Sequence, residues 1–353
     1  MYFNPLQGFY HPECPTRPFH QTIFFMAKSR RERCPYCGFL DTIKWGKQSG
    51  HQRYKCKNCG SLFTARRKDV SHKNRFVWFR WWVEGKQTVE QISELSGYSI
   101  RQLKTWFYEY LEEAPTWKVS RRECVNLLID GTWFPNKVCL VVYRANNIKA
   151  TLFYRLTDDE KEWEIITDLQ TIRRMGIRIE SVTSDGGPDI IRAVKYACPN
   201  AIRQRCLAHI ERECLGWITQ HPKSAAGIEL RRLVCQISHI RTHNDELYWK
   251  RCLHNWYEEY SDFLKEKTIS PTTGQKSYTH DYIRKAYYHI WHALPDMFKF
   301  IDHPNVPKTT NGLESFFGHL KDSLGVHRGL SVEHHKNFVK WYLHFNAEKG
   351  KKK

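Results

Sequence analysis

Three acidic residues occupy positions from which carboxylates can share metal ions. Asp130 closes a predicted strand at 125–129, Asp185 closes another at 179–184, and Glu314 opens a predicted helix. Two carboxylates at the ends of buried strands, with a third from a helix, can hold a pair of divalent cations over a phosphodiester bond. Because oxygen ligands suit hard cations, Mg²⁺ or Mn²⁺ is expected. The pattern predicts metal-dependent phosphoryl transfer.

Each acid also has an ordinary explanation. Asp130 and Asp185 are both followed by glycine, and Asp-Gly is a common turn signal. Glu314 stands three residues after Asn311, so it can complete a capping box at the start of a helix. For any one acid taken alone, the ordinary explanation is the stronger one. Two aspartates at matching strand ends favour a shared site.

The elements around the aspartates predict an α/β fold. Three short apolar strands are followed by a helix, a strand, a second helix and a last strand; their predicted ranges are 125–129, 138–143, 150–154, 160–175, 179–184, 188 onwards and 201–205. This is the element order of a ribonuclease H-like fold, in which the first and fourth strands lie side by side. That arrangement would bring Asp130 and Asp185 together.

The chain of 353 residues is long enough for several domains. After Asp185, aromatic residues at helical spacing predict a helical insertion. The predicted organisation is an N-terminal extension (1–29), a zinc ribbon (30–68), a helix-turn-helix DNA-binding domain (72–114), a ribonuclease H-like catalytic domain (122–345) with a helical insertion at about 215–305, and a basic tail (346–353).

Four cysteines form two matched pairs in the amino-terminal region. Cys34 and Cys37, then Cys56 and Cys59, make the pattern C-x2-C-x18-C-x2-C. This spacing lets two tight turns present four thiolates to one Zn²⁺. Four unrelated reduced cysteines are the alternative, and a redox pair is a weaker one. The pattern predicts a zinc ribbon in a reducing compartment.

Residues 88–113 have the pattern of a helix-turn-helix. Thr88 with Gln91 three residues later predicts a capped first helix, and Gly97 predicts the turn. The second helix is predicted over 100–113, with an apolar face that leaves Arg101 and Lys104 pointing outward. Such a helix can enter a major groove of DNA. A helical hairpin without DNA-binding function is the alternative.

The formal net charge of +19 favours a polyanionic partner. No run of roughly 18 apolar residues occurs, so a membrane partner is not expected. Nucleic acid is the leading candidate. Solvated basic surface is the competing explanation for individual residues. The basic residues predicted to contact DNA are Arg53, Lys55, Arg101, Lys104, Lys321 and Arg328.

Four motifs occur in the order found in one enzyme family. They are Asp130–Trp133 (DGTW), Ser184–Gly186 (SDG), Cys206–His209 (CLAH) and Thr309–Glu314 (TTNGLE). In these motifs the chain resembles the Mutator-like DDE transposases of bacterial insertion sequences, most closely the branch with an N-terminal zinc ribbon. The resemblance extends from Arg33 to the C-terminus. It places a catalytic, magnesium-binding triad on Asp130, Asp185 and Glu314, and leaves the role of Cys206 and His209 open.

The resemblance implies metal-dependent cleavage of double-stranded DNA at transposon ends and strand transfer into target DNA. It also implies Mg²⁺ or Mn²⁺ at the triad, Zn²⁺ in the ribbon, a homodimer in a synaptic complex, and a location in the bacterial cytoplasm at the nucleoid. Two other functions are open. One is a catalytically inactive DNA-binding regulator derived from a transposase, and the other is a nuclease or Holliday-junction resolvase on the same fold.

Overall fold

A computed structural model describes residues 32–48, 51–64, 68–117, 124–135 and 138–349. The chain divides into two compact units, 1–74 and 75–353. The predicted N-terminal extension (1–29) and residues 350–353 of the predicted basic tail lie outside the described residues. Among the helices that are described, none has both the length and the apolar character needed to cross a membrane.

The first unit contains a three-stranded antiparallel sheet. Its strands are β1 (Thr42–Gln48), β2 (His51–Cys56) and β3 (Leu62–Thr64), in the order β1-β2-β3. One cysteine pair precedes β1, and the other begins at the last residue of β2. Gly38 and Gly60 follow the two pairs with φ of 77° and 71°, a left-handed conformation that glycine adopts at no steric cost. The two turns therefore have the knuckle form that the sequence predicted.

Three helices precede the main sheet. They are α1 (Lys68–Glu84), α2 (Val89–Ser96) and α3 (Ile100–Leu111). The predicted capping box is present: Thr88 Oγ1 accepts the backbone N–H of Gln91 at 3.3 Å, and Gln91 Oε1 accepts the N–H of Thr88 at 2.9 Å. α3 buries Leu103, Trp106 and Phe107. The first three residues of α3, 100–102, are exposed.

The second unit is built on a five-stranded mixed sheet. Its strands are β4 (Cys124–Phe134), β5 (Val138–Ala145), β6 (Ala150–Thr157), β7 (Arg178–Ser184) and β8 (Ile202–Arg205), in the order β6-β5-β4-β7-β8. β4, β5 and β6 are antiparallel neighbours, whereas β7 and β8 run parallel to β4. The expected neighbourhood of the first and fourth strands, β4 and β7, is confirmed.

Helices cover both faces of this sheet. On one face, Leu127 and Ile129 share a core with Leu169 of α4 (Glu162–Arg174) and with α5 (Pro188–Ala197). On the other face, Leu128 shares a core with α11 (Asn311–Gly325), α12 (Val332–Lys349) and buried residues of α1 to α3. Burial on both faces explains why the strands are almost continuously apolar.

A helical insertion separates β8 from α11. It contains α6 (Leu207–Ile218), α7 (Ala225–Gln236), α8 (His243–Tyr260), α9 (Asp281–Ala293) and α10 (Lys299–Asp302). These helices share their own core, which includes Leu230, Trp249, Trp256 and Ile290. The polar composition of residues 268–280 predicts a loop. The structure has a two-stranded hairpin there, formed by β9 (Lys267–Ile269) and β10 (Lys276–Tyr278).

Candidate metal centre

Asp130 lies within β4 rather than at its end. β4 continues to Phe134 because its antiparallel pairing with β5 continues to Val138. The parallel pairing with β7, in contrast, is last formed between Leu128 and Thr183. The side chain of Asp130 is only 6% exposed, and its Oδ1 accepts the N–H of the following glycine at 2.9 Å. Asp130 is therefore a buried carboxylate at the point where the neighbouring strand ends.

Asp185 is the first residue after β7. Leu128 and Thr183 are opposite each other in the parallel register, and Asp130 and Asp185 each follow two residues later. The two aspartates consequently lie at the same edge of the sheet. Asp185 Oδ1 accepts the N–H of Gly187 at 3.0 Å, so the carboxylate is held by the turn that leads into α5.

Glu314 lies in the first turn of α11, which brings it close to Asp130. The residue before this helix is Thr310, and its side chain makes no capping hydrogen bond. The capping-box explanation is not observed, because Oε1 of Glu314 instead accepts a hydrogen bond from Arg212 at 2.6 Å. Ligand atoms of Asp130, His209 and Glu314 all lie within 4.8 Å of one another. Asp185 is not in that group of three.

The Cys206–His209 motif is part of this centre. His209 Nε2 is 3.7 Å from Glu314 Oε1, and its Nδ1 is 3.3 Å from the hydroxyl of Thr310. Thr310 also donates its backbone N–H and its hydroxyl to Cys206 Sγ, at 3.2 and 3.4 Å. Cys206 in turn donates its N–H to Ser184 O at 2.7 Å. The motif thus joins the end of β7 to the start of α11.

Burial and neighbouring carboxylates raise the pKa of Asp130. Burial raises the pKa of Asp130 to about 6; His209 opposes this shift, and the carboxylates of Asp185 and Glu314 add to it. The pKa of His209 is raised to about 9, first by its hydrogen bond with Cys206, against the effect of burial. Carboxylates that repel one another are stabilised by a bound cation.

Glu160 is a further acid that the sequence pattern did not reveal. It precedes α4, and burial, Asp185 and Asp130, in that order, raise its pKa to about 7. A Cβ atom at Gly131 would overlap the Glu160 carboxylate, so the space beside Asp130 depends on that glycine. In the sequence, the only signal of a neighbouring group at this position was Gly131 of the DGTW motif.

Arg205 is a second residue that sequence reasoning missed. It is the last residue of β8, is 6% exposed, and packs against Gly186. Burial lowers the pKa of its guanidinium, and Asp185 is the strongest of the acidic groups that oppose this shift. The sequence signal that could have identified Arg205 was its position directly before Cys206. Arg205 provides positive charge beneath the acidic centre.

The donor set fits divalent cations. Carboxylate oxygens suit Mg²⁺ and Mn²⁺, whereas an imidazole is a poorer partner for Mg²⁺. Asp130 and Glu314 offer such oxygens within the group of three, and Asp185 offers another at the same edge of the sheet. If the imidazole of His209 joins them, the set shifts towards Mn²⁺.

The four predicted zinc ligands lie together in the first unit. Cys34 Sγ is 3.6 Å from Cys59 Sγ, and Cys37 Sγ is 3.5 Å from Cys56 Sγ. Four thiolates in a tetrahedron at Zn–S distances of about 2.3 Å are separated by about 3.8 Å. All four lie within 4.8 Å of one another, and Cys34 and Cys56 are fully buried. The cluster therefore fits zinc.

Two predicted DNA-contacting residues belong to the first unit. Arg53 and Lys55 alternate along β2, so their side chains point to the same face of the sheet. The ammonium of Lys55 lies 4.6 Å from the ring centroid of Trp45, which is 46% exposed. This face presents charge together with an aromatic ring.

The other four are exposed in the second unit. Arg101 and Lys104 lie on the outer side of α3. Lys104 and Arg328 line one cleft, and Arg328 and Lys321 line a neighbouring groove with the exposed Trp133. Three residues that are far apart in sequence thereby form one basic strip, which extends from Lys104 on α3 to Lys321 and Arg328 at the end of α11.

One comparison with known proteins identifies a family. The model of the transposase Mutator family matches residues 90–269, which is just over half of the chain. The matched region runs from α2 to β9, contains Asp130, Asp185 and His209, and ends before Glu314. No curated protein matches the chain. On the strength of the family match, the chain belongs to the Mutator family of transposases.

Proposed function

We propose that this transposase binds the ends of a DNA transposon and catalyses metal-dependent strand cleavage and strand transfer at Asp130, Asp185 and Glu314. The observation that carries the proposal is the proximity of Asp130 on β4 to Glu314 on α11. Asp130 and Glu314 have ligand atoms within 4.8 Å, although the two residues are separated by most of the catalytic region. Asp185 joins them through the register of the sheet.

The proposal includes a ribonuclease H-like core. The strand order β6-β5-β4-β7-β8, with three antiparallel strands followed by two parallel ones, supports it. The helices α4 and α5, which connect β6 to β7 and β7 to β8, support it as well. In such a core, the helical insertion would lie between the second aspartate and the glutamate.

Bound divalent cations would activate a water molecule or a DNA 3′-hydroxyl and stabilise the leaving oxygen, so that no side-chain general base is required. The chain supplies a rigid set of ligands. The backbone N–H groups of Gly131 and Gly187 orient the carboxylates of Asp130 and Asp185. Because Asp130 is 6% exposed, few water molecules would surround its carboxylate.

The basic strip of the second unit would hold the DNA backbone. Arg101 and Lys104 on α3 would contact the duplex as part of a helix-turn-helix, and Lys321 and Arg328 would continue the contact beside α11. In the first unit, Arg53 and Lys55 would add contacts from a zinc-bound ribbon. Such contacts track phosphates. We further propose that a homodimer joins two transposon ends, in the bacterial cytoplasm at the nucleoid.

The decisive experiment uses DNA that carries the two boundaries of the element. Purified protein should cut at these boundaries with Mg²⁺ or Mn²⁺, and Asp130→Asn or Glu314→Gln should abolish cutting while DNA affinity is largely kept. Asp322→Asn is the matched control, because Asp322 is an exposed acid on α11 that pairs with Lys86. Cleavage by Asp130→Asn at the wild-type rate would refute the proposal. An inactive regulator would bind the same DNA and cut none of it.

A further inference from the structure

Arg212 is a basic residue in direct contact with the candidate metal centre, and it has no role in the proposal above. It lies on α6, one turn after His209, so both side chains are on the same side of the helix. Its Nη2 donates to Glu314 Oε1 at 2.6 Å. The Arg212 side chain is 58% exposed, compared with 32% for Glu314. Arg212 therefore reaches the centre from the solvent side.

The guanidinium and a divalent cation need the same carboxylate. Glu314 Oε1 accepts the Arg212 hydrogen bond and also lies 3.7 Å from His209 Nε2. A cation held by Glu314 would thus stand close to the positive charge of Arg212. An arginine does not lose its proton in a protein, so the repulsion between the two is relieved when Arg212 moves away from Glu314, to water or to another anion.

A DNA phosphate is the anion that suits such a move. Guanidinium groups bind phosphate through two parallel hydrogen bonds. The exposed position of Arg212 leaves its head group accessible, and the surrounding acids Asp130 and Glu314 otherwise repel a phosphate. The phosphate proposed to react beside these acids is the nearest one that DNA would bring.

We propose that Arg212 exchanges Glu314 for a DNA phosphate, so that the binding of DNA and the binding of divalent cations strengthen each other. This inference rests on the proposed function, because it assumes cations at Glu314. By linkage, each ligand changes the affinity for the other by the same factor. Coupling between two sites is commonly about 5- to 150-fold. For one exchanged ion pair, a factor of about 10 is expected.

The test measures Mn²⁺ affinity rather than activity. The zinc-loaded full chain is titrated with Mn²⁺ and followed by electron paramagnetic resonance, with and without a double-stranded oligonucleotide of arbitrary sequence. An arbitrary sequence suffices because phosphate contacts do not read bases. Wild-type protein should bind Mn²⁺ about tenfold more tightly when the oligonucleotide is present.

Arg212→Gln should have two effects. Without DNA, its Mn²⁺ affinity should rise several-fold above wild type, because Glu314 no longer has a competing cation. With DNA, the tenfold gain should shrink by several-fold. Arg212→Lys keeps the charge without the paired hydrogen bonds. Its Mn²⁺ affinity and its gain with DNA should therefore lie between those of the wild type and those of Arg212→Gln. Arg178→Gln is the control, because Arg178 is an exposed arginine that pairs with Glu180 at 2.9 Å at the opposite end of β7.

Two results separate the inference from the proposed function. If Arg212→Gln shows the wild-type Mn²⁺ affinity and the wild-type gain with DNA, the inference is wrong, whereas the metal centre stands. If Asp130→Asn leaves Mn²⁺ binding to the chain unchanged, the proposed metal centre itself is wrong. A circular dichroism melt of each variant checks that it folds, and the exposure of Arg212 favours an unchanged melting temperature.

Discussion

Gly186 offers the sharpest test of how the centre is built. It follows Asp185 directly and has a φ of 84°, and a Cβ atom there would overlap Nε, Cζ and Cδ of Arg205. Arg205 is 6% exposed and its Nε has no hydrogen-bond partner, so the side chain lies in a closed space. Gly186→Ala should therefore strain the backbone and displace Arg205 at once.

The cost has two parts. An alanine in the left-handed region costs about 1–2 kcal/mol. Overpacking a buried site typically costs a further amount of about 1–3 kcal/mol. Gly186→Ala should lower the free energy of unfolding by about 2–5 kcal/mol, as the sum of the two. Because the turn also carries Asp185, the variant should bind Mn²⁺ more weakly.

Gly329 supplies a matched control. Its φ is 89°, and no atom lies within 4 Å of a Cβ atom built there. Gly329→Ala should show the backbone cost alone, about 1–2 kcal/mol. Urea unfolding followed by fluorescence gives both free energies. The difference between the two variants measures the overlap with Arg205.

Two results would refute this reasoning. Equal destabilisation by Gly186→Ala and Gly329→Ala would show that Arg205 does not oppose a side chain at position 186. Additive effects of Gly186→Ala and Arg205→Ala would show the same, because residues in contact normally couple by about 0.5–3 kcal/mol. Unchanged Mn²⁺ affinity of Gly186→Ala would separate this turn from the metal centre.

Two further predictions concern zinc and pH. Cys56→Ser should lose the one equivalent of zinc that the wild type binds, as measured by atomic emission, whereas Cys235→Ser, at an exposed cysteine outside the cluster, should keep it; full zinc in Cys56→Ser contradicts the site. The pKa of Glu160 is raised to about 7 in the folded chain, so the folded state binds this proton more tightly than the unfolded state. The contribution of the protonated carboxyl to the free energy of unfolding is complete below about pH 4. It is lost as the pH rises through 7. Without added divalent cations, the free energy of unfolding of the wild type should fall relative to that of Glu160→Gln between pH 5 and pH 8. Parallel pH profiles of the two free energies would contradict the prediction.

Local sequence was sufficient where neighbouring residues determine the structure. The cysteine spacing predicted two knuckles, which the cluster of Cys34, Cys37, Cys56 and Cys59 confirms. Thr88 with Gln91 predicted a capping box that the structure contains. The alternation of apolar runs and turn residues also predicted the strands and helices of the second unit, because both patterns depend on periodicities of a few residues.

The sequence alone also identified the candidate acids, because two were predicted to close strands and the third to open a helix. Only the tertiary structure decided which groups surround them. Glu160 lies beside Asp130 because Gly131 has no side chain to fill that space. Arg212, on the first helix of the insertion, contacts Glu314. These neighbours come from elements that are distant in the chain, and side chains brought together by packing leave no periodic signal in the sequence. Local sequence patterns therefore identified the carboxylates, whereas the packing of the sheet against α6 and α11 determined their electrostatic environment.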